Sequence, residues 1–490
     1  MGISFNAAGL LNGNGINVSQ IVQELLGTQS AVVTSLQNQQ TDLSTNLGFL
    51  QGYNNNLTSL ASAVAALANP FGALSAMAAS SSDTGILTAS ANNTATAGTH
   101  QIVVTSLATA GSVYTDAIAS SSASLLPSGA TSAEITIQVG GASGQTHDIA
   151  ISQGTNDTLT LLASYINSQS WGVTANVVTD ANGSRLALYS QNTGTPGALA
   201  ITNNTSVLNF NGPTGGTNAT LTIDGVPFSS TTNSITTAIS GVVLNLQSGD
   251  PQTTVQLTVT PDTSQSTSAI NAFVSAYNAV INNLNTQFTL DPTSNTEGPL
   301  ASDTFLHTLQ SRLLDDVSYA VGGNSGLVNL ASLGIDMNND GTLSVNTTQT
   351  DTHPSLASVL AGNPSAVQNF FQNSAGNGFA QMFNNDLANL TDATDGILNV
   401  DITGIKSQQT ELTTQVQTLQ DRLSAQQATL TALFDQVNAT LEAYPALLYQ
   451  VTAEIGTING NYSAAPTVVA NTTPQSGSVA TTTSSTPSGS

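Results

Sequence analysis

Cysteine is absent from the 490 residues, and lysine and arginine together number only 4. Without cysteine, disulfide scaffolds, thiol catalysis and thiolate-held metals are excluded. No Lys or Arg precedes Arg185, and the others are Arg312, Lys406 and Arg422. Against 28 Asp and Glu this leaves a formal charge of −24. Such a chain is unsuited to neutralising phosphates, so neither nucleic acid nor an anionic membrane surface is expected as a partner. Charged residues make up 7% of the chain, against roughly 25% in an ordinary soluble domain. Ser, Thr, Asn and Gln must do the polar work instead. The scarcity of cations also limits ion pairing: few carboxylates can be held down by one, so the middle of the chain is expected to resist acid. Two segments are missing as well. The first 20 residues have neither a basic region nor a continuous apolar run, so no Sec-type signal is expected. The most apolar window, residues 60–79, is broken by Asn69-Pro70 and rich in Ala, Ser and Gly, so no membrane insertion is expected.

What is there begins with helical periodicity at both ends. After Gly13-Asn14-Gly15, Asn17 is placed to cap a helix, Gln20 to reach back to it, and Ile16 with Ile21 to form a hydrophobic staple. Apolar residues then recur in steps of four and three at Val32, Leu36, Leu43, Leu50, Tyr53, Leu57, Leu60, Val64 and Leu67, with Gln39 and Asn46 filling the gaps. That is a coiled-coil seam of about five heptads, ended by Asn69-Pro70. A second seam runs through Ile402, Ile405, Gln409, Leu412, Val416, Leu419, Leu423, Gln426, Leu430, Leu433, Val437, Thr440, Tyr444, Leu447 and Val451. From Ile402 to Tyr444, at 1.5 Å per residue, it predicts roughly 65 Å of helix, which Pro445 should kink or end. Polar residues in such seams set register at some expense of stability. Stripes at both ends suggest a chain that leaves a helical stalk and returns to pair with its own beginning.

The middle reads as β-structure. Residues 82–262 are rich in Thr, Val and Ile with Gly, Asn and Asp at short intervals, as in Gln101-Ile-Val-Val-Thr105, Glu134-Ile-Thr-Ile-Gln-Val139, Arg185-Leu-Ala-Leu-Tyr189 and Thr220-Leu-Thr-Ile223 before Asp224-Gly225. These are strands joined by tight turns, interrupted by one short helix over residues 159–168. Helical spacing returns at Ile270, Phe273, Val274, Tyr277, Ile281, Leu284 and Phe288, and again at Phe305, Leu306, Leu309, Leu313 and Val317. Beyond Gly460 the chain is Ser, Thr, Pro, Ala and Gly, a composition that cannot offset its ordering entropy.

Motifs of chemistry are weak. Asp336-Met-Asn338-Asn-Asp340-Gly341 copies the first half of a calcium loop, but Thr347 stands where the bidentate Glu belongs. A hairpin turn at Asp340-Gly341 explains the segment better. His100, His147, His307 and His353 are far apart and form no metal-spaced pair, and no nucleophile elbow, phosphate loop or HExxH occurs. No catalytic, cofactor-binding or metal residues are expected.

Several segments, in order, resemble the bacterial flagellar filament cap (flagellar hook-associated protein 2) family. Gly13-Asn-Gly-Ile-Asn-Val-Ser-Gln-Ile-Val22 is similar to its opening, and Gly98-Thr-His-Gln-Ile-Val-Val-Thr-Ser-Leu-Ala108 to its first β segment. Thr220-Leu-Thr-Ile-Asp-Gly-Val226 and Gly241-Val-Val-Leu244 resemble its second β unit. Phe273-Val-Ser-Ala-Tyr-Asn-Ala-Val-Ile281, Gly298-Pro-Leu-Ala301, Leu333-Gly-Ile335 and Asn363-Pro-Ser-Ala-Val367 continue the likeness. Tyr165-Ile-Asn-Ser168, Gly172-Val-Thr-Ala175 and Arg185-Leu-Ala-Leu188 resemble a module shared by flagellins and hook-associated proteins.

The resemblance implies an elongated α+β protein in which both termini form a helical coiled-coil leg and a β-rich head of two domains is inserted between them. The expected divisions are N-terminal leg helices over 1–77, an inner β domain over 78–111 and 216–262, and an outer flagellin-type domain over 112–215. A helical leg domain over 263–400, a coiled-coil helix over 401–460 and a disordered tail over 461–490 complete them. The implied function is to cap the distal end of the flagellar filament outside the cell, stop flagellin leaking and promote its polymerisation, acting by binding without a cofactor. The implied partners are further copies in a ring of roughly four to six subunits, flagellin, and an export chaperone with its export apparatus. The candidate interface residues are the seam positions Val32, Leu36, Leu43, Leu50, Leu57, Leu412, Val416, Leu419, Leu423, Leu430, Leu433 and Val437. A hook–filament junction protein or flagellin-like subunit remains an alternative, as does a surface adhesin.

Overall fold

The computed structural model describes residues 18–293, 295–350, 353–392 and 394–458. Ile16 and Asn17 of the expected helix start lie outside these, as does the expected tail at 461–490. By internal packing the chain divides into two units, Met1–Ser44 with Ser407–Ser490, and Thr45–Lys406.

Helix α1 (Val18–Ala68) stops one residue before Asn69-Pro70, as the restriction on the residue preceding proline requires. By length and composition alone, residues 21–75 pass for a membrane span. Yet Leu50, Tyr53, Leu57, Leu60, Val64 and Leu67 of this helix are buried in a protein core.

The chain then enters strands β1 (Met77–Ser81), β2 (Leu87–Ala91) and β3 (Gly98–Ser106). Next come β4 (Ala110–Thr115), β5 (Ser132–Val139) and β6 (Gln145–Ser152), helix α2 (Leu159–Ser168), and β7 (Val173–Asp180), β8 (Gly183–Thr193), β9 (Leu199–Asn204) and β10 (Phe210–Thr214). It leaves through β11 (Ala219–Ile223), β12 (Val226–Ser230), β13 (Ser234–Ile239), β14 (Val242–Leu246) and β15 (Val255–Pro261).

Two nested β units result. The outermost strands of the excursion, β1 and β15, pair antiparallel from Met77 opposite Pro261. They belong to a five-stranded sheet in the order β1-β15-β3-β11-β12, which shares a core with the three-stranded sheet β13-β14-β2. Within it, β3 pairs with β11 and Thr109 bridges Thr217, so the segment between them leaves and returns at one place. That segment forms the sheets β10-β4-β8-β7 and β6-β5-β9, closed over their own core with α2. The β11–β12 turn is Asp224-Gly225 with φ of 52° and 81°, the doubly positive geometry that selects Asp-Gly.

After Pro261 the chain is helical: α3 (Thr263–Phe288), α4 (Thr304–Val317), α5 (Leu356–Gly362), α6 (Pro364–Phe371), α7 (Phe379–Thr391) and α8 (Ile397–Ile458), with a hairpin of β16 (Ile335–Met337) and β17 (Leu343–Val345). Asn363 caps α6, whose first residue is Pro364, a position where the missing N–H is not needed. Phe379 anchors the packing, edge-on to Phe273 at 5.8 Å and stacked on Phe370 at 5.3 Å.

Side-chain amides serve where charge is scarce. Asn278 donates to the Leu343 carbonyl and accepts from the Leu343 N–H, both at 2.7 Å. Asn167 does the same for Ala175, and Asn233 for Ala108. Buried Gln372 donates to the Leu67 and Asn69 carbonyls at 2.5 and 2.8 Å, satisfying acceptors freed at the end of α1.

Three expectations are corrected. Pro445 does not end α8, which runs on to Ile458. The N-terminal seam falls on Val33, 7% exposed, whereas Val32 is 51% exposed; with two adjacent valines, periodicity alone cannot choose between them. Carboxylates are also held down without cations. The Thr253 hydroxyl lowers Asp250, the Ser264 hydroxyl Asp262 and the Thr342 hydroxyl Asp340, each helped by backbone N–H groups.

Candidate functional site

The seam residues fall into three settings. Leu50 and Leu57 are fully buried in the Thr45–Lys406 unit, packed with α3, α4 and α7. In the other unit, Val22, Leu26 and Val33 of α1 and Leu412 and Val416 of α8 are buried, while Leu36, Leu43, Leu419, Leu423 and Leu430 are half-buried. The two helices of that unit meet where Gln40 donates to the Thr413 hydroxyl at 2.7 Å. Gln40 thus holds a seam position expected for Gln39, which is exposed. Gln426 buries its side-chain oxygen without a hydrogen-bond partner, an arrangement that opposes stability.

Leu433 and Val437 behave differently, being 54% and 46% exposed. They open a stripe continued by Leu441, Tyr444, Leu447, Val451 and Ile455, all exposed, in steps of three and four. A monomer gains nothing by displaying such a row. Each large apolar side chain moved fully from water contributes about 1.5–3 kcal/mol, and aligned rows of this kind mark interaction surfaces. The seven-residue periodicity makes the stripe legible in the sequence; its exposure is not.

The motifs that suggested chemistry are occupied by structure. Asp340 accepts from the Thr342 N–H and hydroxyl within the β16–β17 hairpin, at 3.0 and 2.6 Å. His100 meets Asp224 at 2.8 Å, His147 stacks on Trp171, His307 stacks on Phe288, and His353 lies 3.7 Å from Asp336. Among the described residues, no group of three His, Asp or Glu is placed to hold a metal ion.

Nested β units between seam-bearing helices, with an apolar stripe displayed along one of them, define a structural protein that works through its surfaces. Matches to known families give that class its identity. The model described as flagellar hook-associated protein 2 N-terminus matches residues 14–111, and the one described as flagellar hook-associated protein 2 C-terminus matches residues 216–445. The chain belongs to the flagellar hook-associated protein 2 family. A third match, the flagellin hook IN motif, covers residues 134–192, within the β segment that leaves and returns between β3 and β11.

The B-type flagellar hook-associated protein 2 of Pseudomonas aeruginosa is 28% identical over 58% of this chain and 64% of its own length. The flagellar hook-associated protein 2 of Helicobacter pylori strain 26695 is 27% identical, but only over 36% of this chain and 27% of its own length. The chain thus spans less than two thirds of these relatives. The flagellar hook-associated protein 2 of Escherichia coli K12 is 28% identical over 88% of this chain and 94% of its own length. The crystal structure of the D1-D2-D3 domains of the flagellar cap protein FliD from Escherichia coli superposes with a TM-score of 0.58 at 26% identity, covering 73% of this chain and 99% of that one.

Proposed function

We propose that this chain caps the distal end of the growing flagellar filament outside the cell, retains flagellin there and promotes its polymerisation by binding alone. The observation that carries the reading is the ordered match of both family halves along the chain, 14–111 and 216–445. The exposed stripe from Leu433 to Ile455 supports it, because apolar surface displayed on a helix requires a partner. The E. coli relative matched over 94% of its length shares its family with a solved flagellar cap protein from that organism. No comparable observation favours a junction protein, a flagellin or an adhesin.

The seam residues are proposed to act in two ways. Leu50 and Leu57 hold α1 to the folded core. Leu412 and Val416 are likewise held inside their own unit, while Val32, Leu36, Leu43, Leu419, Leu423 and Leu430, with the exposed Leu433 and Val437, supply the surface for further copies, flagellin and the export chaperone. We place the divisions of the chain where the β sheets nest, at residues 78–111 with 216–262 and at 112–215.

Cells lacking the protein should make hooks without long filaments and release monomeric flagellin into the medium. A double variant Val437→Asp with Leu447→Asp, returned to those cells, should be exported and fold normally by circular dichroism yet leave flagellin in the medium. Normal filament length in the deletion strain would overturn the capping role. Normal filaments with the double variant would overturn the part given to the stripe.

A further inference from the structure

Helix α4 carries a carboxyl at each end, and each faces another carboxyl rather than a cation. Asp316, in its last turn, is set against Asp386 of α7, close enough to share a hydrogen bond. Asp303, its N-cap, accepts from the Phe305 N–H at 2.8 Å and is set against Asp401 of α8 in the same manner. The geometry is unfavourable for two anions. The Asp316 Oδ2 and Asp401 Oδ2 atoms are buried without hydrogen-bond partners. Tyr277 of α3 lies beside Asp316, fully buried, its hydroxyl also without a partner.

Charge around Asp316 can be counted from every element packed on it. Its own helix supplies Asp315 and Arg312, α7 supplies Asp386, and α3 supplies the neutral phenol of Tyr277. Arg312 stands 4.0 Å from Asp386 and is 59% exposed, so one solvated cation serves three carboxyls. The C-terminal end of a helix adds its own negative potential. Two carboxylates confined in this way cannot both ionise cheaply, and a shared proton relieves them.

We propose that the first of these pairs forms a proton lock: a proton shared between Asp316 and Asp386 clasps α4 to α7, and its release in alkali loosens α4. Burial first, then Asp386, pushes Asp316 up to about 8, and burial with Asp303 raises Asp401. The sign follows. An unfolded Asp316 ionises near 3.8, so between roughly pH 4 and 8 the folded chain holds a proton that the unfolded chain has released. Stability contributed here is therefore greatest at the acid end and falls as pH rises through that window. A cleft of about 120 Å³ lined by Thr308, Arg312, Asp386 and Asn389 opens the first pair to solvent protons.

Hydrogen exchange of the full-length protein tests this, with rates corrected for the intrinsic effect of pH. Peptides from residues 304–317 and 379–391 should lose at least tenfold in protection between pH 5.5 and 8.5, while those from residues 98–106 and 183–193 hold theirs. Infrared spectra at pH 6.5 should contain a protonated-carboxyl band that Asp316→Asn weakens, and the same variant should flatten the pH dependence of α4. If that variant fails to fold, Asp386→Asn serves instead. Removing the opposing charge should move the midpoint of the loss downward by about one pH unit or more. Equal protection of α4 at both pH values, or a spectrum without the protonated band, would overturn the lock.

Discussion

The nested β units at 77–261 and the helical region at 263–406 share one cation-poor composition, and both lower carboxylates in their turns, Asp340 and Asp392 among them, yet only the helical region sets carboxyls against one another. In the β units, Asp180, Asp224 and Asp250 stand at the surface and accept hydrogen bonds from Arg185, from His100 and from the Thr253 hydroxyl, with backbone N–H groups adding to each. All three are lowered. In the helical region, Asp316 and Asp401 are drawn between helices, where their strongest partners are other carboxylates, and both are raised. The lesson concerns the backbone. Turns between strands expose N–H groups that welcome an anion, whereas helix interiors have spent theirs and leave an inward-facing carboxyl to find a proton.

The largest test of that contrast is to weaken one region and watch the other. Phe379 sits at the middle of the aromatic cluster, against Phe273, Phe370, Phe371 and Phe383. Phe379→Ala should destabilise the helical region by about 3–5 kcal/mol. Peptides from its helices should lose exchange protection while β3 and β8 keep theirs. Equal loss in both would show a single cooperative block and end the comparison.

A middle-sized effect should come from the side-chain amides. Gln372→Leu takes the side-chain donor from the Leu67 carbonyl at the edge of the helical region, the Asn69 carbonyl keeping the Gly72 N–H, and Asn233→Leu leaves both backbone groups of Ala108 unpaired in the β units. Each should lower stability by about 1–3 kcal/mol, read as a drop in denaturant midpoint. A loss confined to one of the two would mean that the regions differ in polar satisfaction as well as in charge.

Much of this architecture could be read from residue order. The strands around Gln101-Ile-Val-Val-Thr105 and Arg185-Leu-Ala-Leu-Tyr189, the helix at 159–168 and the Asp224-Gly225 turn all carry local signals, because side-chain period and turn chemistry act over a few residues. The seam could be located but not registered to the residue, since Val32 and Val33 are equally apolar. The carboxyl pairs left no trace. Asp316 and Asp386 are brought together only by the packing of α4 on α7, and an exposed Asp has the same letter as one that must hold a proton. Counting cations also missed the lowered carboxylates, whose partners are hydroxyls and backbone groups.

The smallest effect lies at the seam of the comparison, where Asp262 ends the β units and caps α3. Its Oδ1 accepts from the Ser264 and Gln265 N–H groups at 3.0 and 3.1 Å, and its own N–H donates to the Ala76 carbonyl. The Ser264 hydroxyl and these N–H groups together hold Asp262 below the usual carboxylate range. A lowered carboxylate contributes stability above its unfolded value and loses it as pH falls through its folded one. Asn caps a helix about as well as Asp, so Asp262→Asn should change stability at pH 7 by no more than about 0.5 kcal/mol. It cannot be protonated, so it should overtake the wild type at acid pH, once the wild-type cap has become a neutral acid. Thermal melts at pH 7, 5, 4 and 2.5 would trace the crossing. Parallel curves across that range would mean that the cap acts through its shape alone, and that acid sensitivity of the β units must be sought at Asp224 and Asp250.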